Sequence, residues 1–120
     1  MLNLNSIMIG TKQFKALTAF YEKVIGKPPD MAEPESGFVG WQVGNGYMGV
    51  LEHSEMGGAT KDPGRVMLNF ETTQVQEEFD RIKALGGAVI RAPYQMGNGM
   101  IATLADPDGN YFQLMTPMEM

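Results

Sequence analysis

The stretch Ile101-Ala102-Thr103-Leu104-Ala105-Asp106-Pro107-Asp108-Gly109-Asn110-Tyr111-Phe112-Gln113-Leu114-Met115 decides the fold. It reads as a strand, a tight turn and a second strand. Pro107 fixes φ early in the turn, Gly109 permits positive φ, and apolar runs flank both sides. Asp106 and Asp108 are expected to bond their own backbone, so the turn is architecture. An alternating strand then sends Tyr111, Gln113 and Met115 to one face and Phe112 and Leu114 to the other. That sets one polar side chain, Gln113, among apolar neighbours on a pocket wall.

Composition narrows the function classes. A chain of 120 residues is one ordinary domain that buries more than about 60% of its unfolded surface without a staple. The absence of cysteine excludes disulfides, thiol nucleophiles and thiolate metal sites, and a single histidine, His53, excludes any site that needs two imidazoles from one chain. No basic leader precedes an apolar run at the start, and no apolar run approaches about 18 residues, so a cytoplasmic protein without a membrane segment is expected. A formal net charge of -5 without a basic stripe argues against nucleic acid. Small molecules and protein partners remain.

Working outward, residues 2–9 alternate loosely as a first strand, with Asn5, Ile7 and Ile9 on one face and Leu4 and Met8 on the other. Phe14, Leu17, Phe20, Tyr21, Val24 and Ile25 mark an amphipathic helix closed by Gly26. Residues 27–34 hold three prolines and fit only an edge strand or an extended connection. Residues 38–43 and 47–53 form a hairpin whose Asn45-Gly46 pair suits positive φ. Residues 54–64 are a linker. A strand over 65–70 follows, then a helix opened by a capping box at Thr73 and Gln76 and striped by Val75, Phe79, Ile82 and Leu85, ending at Gly86-Gly87. Strands over 88–94, 99–105 and 111–116 complete the chain.

The order of elements has repeated, and Phe20-Tyr21-Glu22-Lys23-Val24-Ile25-Gly26 echoes Phe79-Asp80-Arg81-Ile82-Lys83-Ala84-Leu85-Gly86. The reading is a single α+β domain of two tandem β-α-β-β-β half-modules, residues 1–53 and 65–117. They would form a curved mixed sheet with its helices on the outer face and a ligand cup on the other. Three strands after each helix disfavour a ferredoxin-like alternative.

With these motifs in place, the chain resembles the vicinal oxygen chelate superfamily, which includes glyoxalase I, bleomycin-resistance proteins and extradiol dioxygenases. The resemblance rests on the Phe20 to Gly26 helix, the Phe79 to Gly87 helix and Asp106-Pro107-Asp108-Gly109-Asn110, and covers nearly the whole length. In metal-dependent members four ligands, usually His, Glu or Gln, come from the first and last strands of each half. By this resemblance the four positions fall on Asn5, on Glu52 with His53 beside it, on Arg65 and on Gln113.

Arg65 is the informative departure, because a guanidinium offers donors and no acceptor and repels a divalent cation. No metal and no cofactor are therefore expected. Arg65 would replace the metal's charge and pair with Glu52, with Asn5 and Gln113 hydrogen-bonding around it; the alternative for Arg65 is a solvent-facing residue after a Pro-Gly linker. Strand parity puts Ile7, Met48, Val50, Met67, Tyr111 and Met115 on the cup wall, with Trp41 as a further candidate. The methionines adapt to irregular apolar ligands or fill the core, and Trp41 and Tyr111 offer stacking surfaces or core packing.

The resemblance thus implies a metal-free small-molecule binding protein, its ligand held near Arg65, Glu52 and Gln113, and a homodimer, as short members of the superfamily form. Two alternatives stay open. One is a metal-dependent lyase or isomerase resembling glyoxalase I, with Glu52 as the base that moves a proton. The other is sequestration of a cationic antibiotic without turnover, with which the negative charge is compatible.

Overall fold

Both helices are entered through a Thr-x-Gln triplet, Thr11-Lys12-Gln13 and Thr72-Thr73-Gln74, with the threonine hydroxyl accepting from the glutamine N–H at 2.9 Å and 3.0 Å. These turns replace the expected capping box: Gln74 is the N-cap and makes no side-chain cap bond. A side-chain acceptor two residues back stabilises the turn as a cap would. The structure, a computed structural model, describes residues 1–33 and 35–117. Pro34, the last residue of the extended stretch after the first helix, lies outside the described residues.

The chain divides into two compact units, Met1–Gly58 and Ala59–Met120, and the division falls inside the expected linker. In the first unit β1 (Ile7–Thr11) leads into α1 (Phe14–Ile25), followed by β2 (Met31–Glu33), β3 (Phe38–Val43) and β4 (Gly46–Glu52). In the second, β5 (Leu68–Glu71) leads into α2 (Val75–Ala84), then β6 (Ala88–Met96), β7 (Gly99–Ala105) and β8 (Tyr111–Met115). The β-α-β-β-β order is that expected. Each unit has its own four-stranded mixed sheet, ordered β1-β4-β3-β2 and β5-β8-β7-β6, in which the first strand runs parallel to the last. The helix therefore carries the chain from one edge of its sheet to the other, and covers one face on the way.

The first strand of each unit starts later than its pattern suggested. β1 begins at Ile7, opposite Met48, and β5 at Leu68, opposite Phe112. Before Ile7 stand Asn3, Asn5 and Ser6, poor strand formers. Before Leu68 the chain is held in a turn by the Arg65 N–H donating to the Asp62 carbonyl at 3.0 Å.

The two hairpins also share a turn, Gly44-Asn45-Gly46 and Gly97-Asn98-Gly99. Val43 pairs with Gly46 and Met96 with Gly99, leaving two-residue loops whose first residue has φ of 58° and 60°. No described residue other than glycine has positive φ. Gly44, and not the expected Asn45-Gly46 pair, thus carries the left-handed conformation, and the loop is of type II′, which matches strand twist.

Among the described residues, no helix is long and apolar enough to cross a membrane. Near β2, Asp30 accepts from the Gln42 N–H at 2.6 Å and meets Lys27 Nζ at 2.9 Å. The bond from Lys27 is the main reason its carboxyl sits below the ordinary value, with the Gln42 N–H adding to it.

The turn before β8 behaves as its sequence indicates. Buried Asp106 accepts through Oδ1 from the N–H groups of Asp108 and Asn110 at 2.9 Å and 3.0 Å, while the Asn110 amide spans both its oxygens. Replacing this carboxylate leaves buried donors unpaired. Asp106→Ala should lower unfolding stability by roughly 2–3 kcal/mol, read from the urea midpoint. An unchanged midpoint would refute the structural role.

Candidate functional site

In each unit the face away from the helix is the one free to meet a ligand, and strand parity says which residues stand on it. In the first unit the covered face holds Thr11, Val39, Trp41, Met48 and Val50, all buried. They meet the α1 stripe of Leu17, Phe20, Tyr21 and Val24. Trp41 Nε1 donates to the Lys27 carbonyl just beyond α1 at 3.1 Å. This corrects the expected wall. Trp41, Met48 and Val50 have relative exposures of 0%, 4% and 0% and are core; Ile7 pairs with Met48 and shares its face, but is exposed at the strand's start.

The open face of the first sheet is built differently. Gly40 and Gly49 are cross-strand partners at its centre, and Met8 faces Gly49 from β1. A Cβ on Gly49 would lie 2.9 Å from the Phe38 ring, and one on Gly40 would overlap the Tyr47 phenol. The glycines are there because two aromatic rings lie across them. The Tyr47 hydroxyl is buried and has no hydrogen-bond partner among the described residues. A cleft of about 570 Å³ opens here, lined by Asn5, Ser6, Met8, Phe38, Gln42 and Tyr47 among others. Asn5 therefore does line a cavity, although it precedes β1.

Glu52 pairs with buried Thr11 and so has the parity of the covered face. Being the last residue of β4, it is exposed there, with its carboxylate against Gly37. His53 follows it over the open side: a Cβ on Gly10 would be 3.5 Å from the His53 Cβ. Its Nδ1 accepts from the Glu55 N–H at 3.2 Å.

In the second unit, parity holds as expected. Phe112, Leu114, Ala102 and Leu104 are buried on the covered face, as are Val75, Phe79 and Ile82 of α2. The open face carries Tyr111, Gln113 and Met115, with Met67 of the same parity just before β5. Register places Asn69 opposite Gln113, Gln113 opposite Thr103, and Thr103 opposite Arg91. One polar row thus crosses all four strands of the sheet. Within it Gln113 Nε2 donates to Thr103 Oγ1 at 3.1 Å. Thr103 is itself buried, as are Ile101 and Ala105 beside it; among the described residues its hydrogen and the Gln113 Oε1 remain for another group. Tyr111 and Ala105 flank the row on one side, Met115 and Ile101 on the other.

Arg65 stands apart from this row. It belongs to the loop before β5, its side chain is 78% exposed, and it pairs with Asp62 at 3.6 Å. It lines a shallow cleft of about 440 Å³ with Tyr111. Asn69, Thr103 and Arg91 were not anticipated. Asn69 and Thr103 are ordinary strand residues that only pairing with Gln113 brings together. Arg91 is hidden by register shifts on both its sides, which break the alternation along β6.

A divalent cation does not fit the donors present. Of the four family positions, Asn5 offers an amide, Arg65 a cation, Glu52 a carboxylate held at Gly37, and Gln113 an amide whose N–H₂ end is turned to Thr103. Among the described residues no cluster of three His, Cys, Asp or Glu could hold a metal ion. Such an ion needs converging anionic or imidazole donors.

Two tandem modules with this topology define a glyoxalase-type fold. The chain belongs to the glyoxalase-like domain family, whose model matches residues 6–115, and so to the vicinal oxygen chelate superfamily that its motifs resemble. No curated protein matches it. Among solved structures it is similar to a glyoxalase/bleomycin resistance protein from Albidiferax ferrireducens T118, at 19% identity and TM-score 0.76, covering 96% of this chain and 98% of that one. A glyoxalase-related enzyme from Fulvimarina pelagi matches at 23% identity and TM-score 0.73, over 97% and 89% of the two chains. The fosfomycin resistance protein FosX from Listeria monocytogenes, solved with Mn(II) and 1S,2S-dihydroxypropylphosphonic acid, matches at 19% identity and TM-score 0.75, over 98% and 92%. At these identities the likeness shows the fold.

The reassignment of Met48 has a direct consequence. Met48→Ala should cost roughly 2–4 kcal/mol of unfolding stability, as large-to-small core changes do. A ligand-wall methionine would show little loss, so an unchanged thermal midpoint would return Met48 to the wall.

Proposed function

We propose that the protein is a metal-free small-molecule binding protein of the glyoxalase and bleomycin-resistance type, its ligand held on the open face of the second sheet around Gln113. The observation that carries this is the row Asn69, Gln113, Thr103 and Arg91, which joins polar groups of unused hydrogen-bonding capacity to flanking Tyr111, Ile101 and Met115. Binding sites combine apolar walls with a few placed polar groups in this way. Arg65, at the family's third position, lies in the loop before β5 beside Tyr111 and is the charged group that would flank this ligand. In the first unit, Glu52, at the family's second position, ends β4, and the cleft that Asn5 lines with Met8 and Tyr47 would take a small molecule of its own.

The metal-free part of the reading rests on the donor set. A lyase or isomerase working as glyoxalase I does needs a metal to polarise adjacent oxygens, and these four positions supply one carboxylate among them. Protein purified without chelator should contain far less than one equivalent of divalent metal by mass spectrometry, and added Mn(II) should leave its thermal midpoint unmoved. A stoichiometric ion would overturn the proposal and favour the enzyme.

The resemblance also implies pairing of two copies. Light scattering across a dilution series should report about twice the 13.2 kDa of one chain. A mass of one chain at every concentration would count against a homodimer.

A further inference from the structure

We propose that Arg91 is the anion-recognising group of the second sheet's open face, and that the ligand it takes there is a planar monocarboxylate. This names the ligand class for the binding site proposed above and rests on that reading.

The three arginines of the chain differ in their partners. Arg81 donates to Glu78 at 2.7 Å, and Arg65 pairs with Asp62. Arg91 has no carboxylate partner among the described residues. Its guanidinium lies over the Tyr94 ring, 3.7 Å from the centroid. Stacking engages the flat face of a guanidinium and leaves the N–H groups at its edge free, already oriented. The shifts in register on either side of Arg91 leave it paired with Thr103, and Tyr94 with Ile101. Both side chains thus stand on the same face as Gln113.

The chemistry of the neighbours selects the ligand. Thr103 Oγ1 has accepted from Gln113, so its own hydrogen is available to an acceptor. Arg91 and Thr103 together present donors to one small region, which suits an oxyanion. A carboxylate is planar and takes two parallel N–H bonds from a guanidinium. One guanidinium balances one negative charge. A phosphate or phosphonate dianion would face the carboxylate of Glu71 on the same face, opposite Met115, without a second cation in the row. Beyond the carboxylate, Tyr94, Ile101 and Met115 offer an apolar and aromatic wall, and the Gln113 Oε1 accepts a hydroxyl or N–H. A ring bearing a carboxylate matches this set.

The test uses benzoate, benzamide and phenylphosphonate as matched probes, with backbone amide shifts of the whole chain as the readout. Benzoate at millimolar concentration should move the amides of Arg91, Ile101, Thr103 and Gln113. Benzamide should bind about tenfold more weakly or worse, since hydrogen bonds to a charged group exceed neutral ones by about that factor, and phenylphosphonate should also bind more weakly, because its second charge meets Glu71 and no second cation in the row. Arg91→Gln should weaken benzoate about tenfold, Arg91→Lys by less, and Lys83→Gln, at an exposed position on α2, should leave it unchanged. Arg91 is exposed, and an unchanged amide spectrum of the free variant would show that it still folds.

Benzoate binding that survives Arg91→Gln, or benzamide binding as tightly, would overturn the assignment while leaving a binding face at Gln113. No probe-induced shift on this face would sink both. A bound metal would sink only the metal-free reading.

Discussion

Everything available for function here follows from one constraint: in each unit a helix spans its sheet from edge to edge and buries one face. Residues alternate across a strand, so a one-residue difference in parity separates core from site. In the first unit this sends Trp41, Met48 and Val50 under α1 and leaves Met8, Phe38 and Tyr47 outside. In the second it sends Phe112 and Leu114 under α2 and leaves Tyr111, Gln113 and Met115 outside. The Trp41 bond to the Lys27 carbonyl shows how the covered face is completed, with its one polar atom paired.

The two units share their topology and even their punctuation, the Thr-x-Gln helix entry and the Gly-Asn-Gly hairpin, yet their open faces differ chemically. The first has been flattened by Gly40 and Gly49 so that Tyr47 and Phe38 can lie across the strands. A strand glycine weakens a sheet, and an aromatic ring laid over it restores the lost contact. The result is an apolar, aromatic surface with neutral amides at its margin. The second keeps side chains at the corresponding centre and carries the polar row. The scaffold repeats, and the faces that the helices do not cover differ in chemistry.

Much of the scaffold was legible in residues. β3 and β7 run over the anticipated residues because Gly and Asn bound them and β-branched or aromatic residues fill them. The Asp106 turn was legible because Pro and Gly leave few alternatives. The face of the first sheet was misread, although its signal was present: Ile7, Ile9, Met48 and Val50 alternate with Gly10 and Gly49, and bulk on one side with glycine on the other marks a core face. The family register had drawn those residues towards a cup. The paired Gly-Asn-Gly turns are a further mark of the repeat in the sequence. Arg91 could not be placed from sequence, since a strand with two register shifts no longer tells which side a residue takes.

The same row explains why this face suits an anion better than a cation. A metal site presents acceptors: carboxylates, imidazole nitrogens, amide oxygens. Here the acceptor that the family position retains, Gln113, has its amide tied to Thr103, and the tie frees a hydroxyl hydrogen beside a stacked guanidinium. The strong groups of the row are donors. Its acceptors are the neutral amide oxygens of Gln113 and Asn69, which cannot strip water from a divalent ion but can each accept a hydrogen bond from a ligand. On the proposed reading, donors in place of acceptors along one strand row would invert the charge that the scaffold recognises, without altering the turns, helices or core that hold the row in place.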